Sequence, residues 1–194
     1  MIESAKRGLG CGLIAPLALG LLASFAGAQE REDPAQDVWN VQFVFQLVQA
    51  DGFTDEDPEI SDVVKELRMA FNFRGYRLLS TSVLNVGLVL PYRGSPTVSG
   101  SGSQRIFPDD YDKPLTIHAE VSAHRSTGTI RAQVTLTDLI VWGPTGAPIS
   151  PPLLGASVTM RDGQRVLLGS ARRSADEPVL ILIVTPRLDV AGLE

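Results

Sequence analysis

The chain has 194 residues, a formal net charge of −5, 44% hydrophobic residues and one cysteine. The acidic balance argues against a nucleic-acid partner, whose phosphates favour a basic face. A single cysteine leaves no intrachain disulfide and no multi-cysteine metal site.

Met1–Ala28 reads as an export signal: Lys6 and Arg7 at the start, an apolar run from Leu9 to Phe25, and a small-x-small site at Ala26-Gly27-Ala28. A retained membrane anchor is the alternative reading of the same run. Cleavage would remove Cys11 and leave about 166 residues with a net charge near −6, enough for one domain with its own core. Residues 29–37 are polar and are expected to form a disordered lead-in, and a single domain is expected over 38–190.

Val38–Ala50 alternates: Trp39, Val41, Phe43, Phe45 and Leu47 share one face, and Asn40, Gln42 and Gln46 share the other with Val38, Val44 and Val48. This predicts a long strand with one strongly apolar and one mixed face. The amides suggest either a sugar- or peptide-binding face or a solvated one. The acidic stretch Asp51–Asp57 lacks the EF-hand spacing and reads as a solvated loop that favours the helix start behind it.

Asp57 suits an N-cap and Pro58 the first helical position. Ile60, Val63, Val64, Leu67, Ala70 and Phe71 form one stripe at helical spacing. Gly75 is expected to stop the helix in a left-handed conformation. Tyr76–Leu90 reads as the returning strand, with Ser82, Leu84, Val86 and Leu88 on one face.

Arg93–Gln104 is rich in glycine and serine and is expected to be a mobile loop. Leu115–His124 and Thr129–Asp138 alternate on either side of Ser126-Thr127-Gly128, which predicts an amphipathic hairpin. A change of phase through Leu139–Trp142 suggests a bulge or bend, and Gly143–Pro152 a loop.

His118 and Glu120 are the best metal-site candidates, with His124 on the same strand face; polar residues on an exposed or lumen-facing strand face are the other reading, and no metal is assigned. Strand residues two apart are separated by about 7 Å, and no third ligand is identifiable. No nucleophile elbow follows a strand and opens a helix, so no catalytic residue and no cofactor are assigned.

Asp162-Gly163 lies between the alternating runs Ser157–Met160 and Arg165–Leu168, which predicts a hairpin. Gly169 suits a bulge or a close backbone approach. Val179–Val184 is six apolar residues in a row and suits a strand covered on both faces, or one in an oligomeric barrel. Pro186, lacking an N–H, is expected to end the pairing.

This C-terminal stretch resembles the end of the bacterial secretin family, ring-forming outer-membrane channels of secretion and pilus systems. The residues that carry the resemblance are Val158, Thr159, Asp162, Gly163, Gln164, Val166, Leu168 and Gly169, then Leu180, Ile181, Ile183, Thr185, Pro186 and Arg187. Ser170 stands where the family has a second glycine, and the family's long insert is reduced to Ala171–Pro178. The strand–helix–strand order of the first half is similar to the front of a secretin core domain.

The resemblance implies a secretin-core-like α+β fold, mainly antiparallel β hairpins with one principal amphipathic helix. It implies an exported, structural protein of the periplasm or outer membrane, paired with copies of itself or with other secretion or pilus envelope components. Membrane contact is left open. A monomeric periplasmic binding or envelope-assembly module is the other reading of the same fold.

Overall fold

In the computed structural model the described residues are 38–50, 54, 57–109, 111, 113–138 and 152–191. The signal segment, the lead-in, nearly all of the acidic loop, the phase change at 139–142 and the loop at 143–151 lie outside them.

The alternation of the first strand sets the architecture. β1 (Val38–Ala50) places Trp39, Val41, Phe43, Phe45 and Leu47 on one face, each at most 6% exposed. β2 (Tyr76–Leu88) runs antiparallel to it with Leu84, Val86 and Leu88 on the same side. Four further strands follow: β3 (Thr97–Ile106), β4 (Leu115–His124), β5 (Ile130–Thr137) and β6 (Leu154–Met160). β7 (Val166–Ala171) and β8 (Val179–Ala191) complete the fold. All pairs are antiparallel, in a first sheet ordered β2-β1-β8-β7 and a second ordered β3-β4-β5-β6.

The two sheets face each other across one core. β4 contributes Leu115, Ile117, Ala119, Val121 and Ala123, and β5 contributes Ile130, Ala132, Val134 and Leu136, against the inner face of β1. Their intervening positions are polar, as the period of two requires when only one face is dry.

A second core lies on the far side of the first sheet. There α1 (Ser61–Ala70), entered through a 3-10 turn at Pro58–Ile60, covers Val48, Ala50, Tyr76, Val179, Ile181 and Ile183 with Ile60, Val63, Val64 and Leu67. Asp57 caps this entry: Oδ1 accepts from Glu59 N–H at 3.0 Å and Oδ2 from Leu78 N–H at 3.2 Å. One carboxylate thus satisfies an orphan helix donor and ties the helix to β2. The fold is α+β, mostly antiparallel sheet with this single short helix among the described residues.

The apolar run at Val179–Val184 is covered on both faces as expected. Leu180, Leu182 and Val184 enter the core between the sheets, and Val179, Ile181 and Ile183 enter the core under the helix.

Four expectations are corrected. The glycine- and serine-rich stretch is not a loop: from Thr97 on it is β3, in register with β4 from Thr97 opposite His124 to Ile106 opposite Leu115. Its glycines face β2, where space is short. A Cβ on Gly100 would lie 2.1 Å from the Gly87 carbonyl oxygen, and one on Gly102 would lie 3.1 Å from Val86. The serines take the outer face, so the composition of a flexible linker conceals a strand of period two.

Asp162-Gly163 does not join a hairpin either. β6 pairs with β5 and β7 with β8, so the turn carries the chain from one sheet to the other. Pro186 does not end β8, which stays paired with β1 as far as Ala191. The Pro186 carbonyl accepts from Gly163 N–H at 2.8 Å, so its backbone polar side points away from β1. The N–H that proline lacks belongs to that same side, and the β1 ladder loses nothing.

Finally, Gly75 does not stop the helix. Phe71 leaves it in an extended conformation (φ −136°, ψ 140°) while donating its N–H to Leu67 at 2.7 Å. Phe71 and Phe73 then pack on the second core, which favours an early exit, and Ala70 is exposed.

Candidate assembly edge

The residues that carry the resemblance converge at one end of the sandwich. In the Arg161–Gln164 turn, Gln164 N–H donates to the Arg161 carbonyl at 3.1 Å, and Arg161 N–H donates to Gln164 Oε1 at 3.0 Å. Gly163 adopts φ +68°, where a side chain would be strained. Asp162 Oδ1 accepts from Leu188 N–H at 2.8 Å, beside the Gly163–Pro186 bond. The turn therefore occupies the free side of β8 beyond the point where β7 stops. Asp162 and Gly163 thus form a clasp on Leu188 and Pro186, and Gln164 closes the turn that presents them, which gives these residue types a structural reason.

The clasp is also tied to the helix. Arg165 Nη1 lies 2.5 Å from Asp62 Oδ2 on α1. The hydrogen bond from Arg165 holds the Asp62 carboxyl below the usual aspartate range, against a smaller opposing effect of desolvation.

Beside the clasp lie the two edge strands, β6 and β7. Each ends its sheet, and among the described residues no strand pairs with the outer side of either. Neither Leu154–Met160 nor Val166–Ala171 contains a charged residue or a proline. Edge strands of soluble proteins usually carry such residues to block pairing with another chain. Leu154, Val158, Val166 and Leu168 pack on the core but remain only partly buried. Val158 points to the core, while Ser157 and Thr159 point to solvent.

Gly169 sits at a bulge, where Leu168 is the extra residue between the pairs Leu167–Ile183 and Gly169–Leu182. Its φ is +152°, and a Cβ there would meet Leu154 of β6 at 3.0 Å. The bulge bends β7 against β6 without pairing the two. Arg187 projects away from the clasp, on the far face of the first sheet opposite Gln42.

His118, Glu120 and His124 line the outer face of the second sheet. His118 Nε2 lies 3.8 Å from Glu120 Oε1, whereas His124 Nδ1 meets Ser126 Oγ at 3.1 Å. The structure does not bring the three together, and among the described residues no three metal-ligating side chains cluster.

Sequence reading missed one further contact in the short Ala171–Pro178 link. The Arg173 guanidinium pairs with Asp138 at the end of β5, reaches Glu177 at 3.5 Å and lies 5.9 Å from the Tyr111 ring centre. Burial raises the Tyr111 hydroxyl above its ordinary pKa. This cluster folds the link back onto the second sheet. Its members come from three separate connections, and spacing along the chain carries no signal of that.

Among the described residues no helix is long and apolar enough to cross a membrane. Comparison with protein families, curated proteins and solved structures finds no match to this chain.

Proposed function

We propose that this chain is a non-enzymatic, secretin-like structural protein of the bacterial envelope, exported to the periplasm or outer membrane. Its work is to join copies of itself through the β6/β7 edge. The observation that supports this reading is that edge: two uncharged, proline-free strands whose outer backbone groups have no partner among the described residues. Unpaired strand edges bind other strands through the main chain, with alternate side chains adding specificity. The same strands carry Val158, Thr159 and Gly169 of the secretin resemblance. With only residues 172–178 between β7 and β8, the subunit keeps the strand framework without a long membrane-facing insert.

Light scattering on the mature protein, extracted from the envelope in mild detergent, tests this. A uniform assembly of several chains is expected. The double variant Ser157→Lys/Thr159→Lys places two charges on the exposed side of β6 and should reduce the mass to one chain. A wild-type monomer in the soluble fraction would overturn the assembly reading and leave the monomeric envelope module.

A further inference from the structure

The helix covers only half of the far face of the first sheet. Beyond it, that face is built in cross-strand rows: Val83, Val44 and Thr185; then Asn85, Gln42 and Arg187; then Gly87, Asn40 and Asp189. Asn40, Gln42, Asn85, Arg187 and Asp189 of the last two rows line a depression of about 530 Å³, with Gly87 beside Asn40 at its margin. Cross-strand neighbours lie about 5 Å apart and same-strand neighbours about 7 Å apart. The polar ends thus frame a patch the size of one sugar ring.

Three features set this patch apart from an ordinary wet strand face. Asparagine is depleted in strands, yet two asparagines and a glutamine converge here. Gln42 Nε2 donates to Asn85 Oδ1 at 3.2 Å, which fixes both amides and leaves the Gln42 oxygen and the Asn85 amino group for another partner. Arg187 and Asp189 are both exposed, and neither forms an ion pair among the described residues.

The third feature is Gly87, in the interior of β2. It does not adopt positive φ, and a Cβ there would make only an ordinary 3.6 Å contact with Asn40 Oδ1. The fold does not require this glycine, although glycine weakens a strand interior. What the missing side chain provides is open space over Asn40, as expected where a ligand approaches the backbone.

We propose that Asn40, Gln42, Asn85, Arg187 and Asp189 form a carbohydrate-binding platform for a ring with adjacent free hydroxyls. Each such hydroxyl both donates and accepts. Planar amide, guanidinium and carboxylate groups offer paired donors and acceptors at matching spacing. Val44 and the 45%-exposed Val83, one row away, supply an apolar surface for the C–H face of a neighbouring ring. This site spans β2, β1 and β8 on the far face of the first sheet, whereas the assembly edge is the outer backbone of β6 and β7; the two meet only at β8, where Arg187 lies between the residues the clasp holds.

The test is a titration of the isotope-labelled mature protein with cellotriose, chitotriose, maltotriose and, as a different class, penta-alanine, followed by amide NMR. At least one saccharide should shift the Asn40, Gln42 and Asn85 side-chain amides with a dissociation constant on the order of 1 mM. Gln42→Ala and Asp189→Ala should each weaken binding about tenfold, the effect of one lost hydrogen bond in a polar site. Gly87→Thr should abolish the shifts while leaving the melting temperature unchanged or higher, because threonine suits a strand and fills the notch. The proposal is overturned if no saccharide shifts those amides, if binding survives all three variants, or if penta-alanine shifts them instead.

Discussion

The two ends of this sandwich solve the same problem in opposite ways. At the β2/β3 end the sheets close on each other: Val89 and Ser99 exchange both backbone hydrogen bonds at 2.9 Å, and Gly100 and Gly102 let the β2 backbone come near. At the β6/β7 end, Leu154, Val158, Val166 and Leu168 fill the space between the sheets. Side chains of that size hold the backbones apart, so β6 and β7 pass each other unpaired although one turn joins them. Closing an edge takes residues without side chains. Filling it with aliphatic ones stabilises the core but leaves two rows of main-chain donors and acceptors for another strand.

The largest effect should come from breaking the closed end. Gly100→Val would put a side chain 2.1 Å from the Gly87 carbonyl oxygen, and backbone cannot yield as a flexible side chain can. A loss of roughly 3 kcal/mol or more in chemical denaturation is expected. A smaller loss would show that the two strands can separate cheaply and that this end is not truly closed.

The open end should be more tolerant. Gly169→Ala combines an unfavourable φ with a 3.0 Å approach to a Leu154 methyl group that can rotate. About 1–3 kcal/mol is expected, from backbone strain alone. If Gly169→Ala cost more than Gly100→Val, the assignment of rigid and yielding ends would be reversed.

The smallest effect concerns the tether from the clasp to the helix. Folding lowers the Asp62 pKa, so the stabilisation is present above about pH 4, the ordinary aspartate value, and is lost as pH falls through the lower folded value. For an exposed pair this amounts to a few tenths of a kcal/mol. Denaturation of wild type and Asp62→Asn should differ by that amount at pH 7, and the difference should shrink steadily as the pH is lowered below about 4.

Periodicity made most of the framework legible. β1, α1, β2, the β4–β5 hairpin and the doubly covered start of β8 all follow from which residues share a face. The failures have specific physical causes. β3 was hidden because glycine alternating with serine satisfies a strand period while matching the composition of a linker, and only the nearby Gly87 carbonyl explains the choice. Asp-Gly fits a tight turn in a hairpin or between sheets equally well, because the turn does not determine what the flanking runs pair with. Pro186 departs from expectation because the cost of a missing N–H depends on which side of the strand it would face. The convergence of Asp162-Gly163-Gln164 on Pro186-Arg187-Leu188 lay in motif residues already noted, but the contact itself needed the structure. The amides of β1 were visible as a face, while their partners Asn85, Arg187 and Asp189 came from strands distant in sequence.

The position of β8 sets an order for folding. Among the described residues it is the last strand in chain order, yet it lies between β1 and β7 and supplies alternate residues to both cores. Until it inserts, β1 has one empty flank, β7 has no partner, and the helix rests on an incomplete floor. The earlier strands of the second sheet can pair as they emerge, since their contacts are between neighbours in sequence. The first sheet cannot, and its aromatic row stays accessible until the last strand arrives. Insertion of β8 therefore completes both cores in one step.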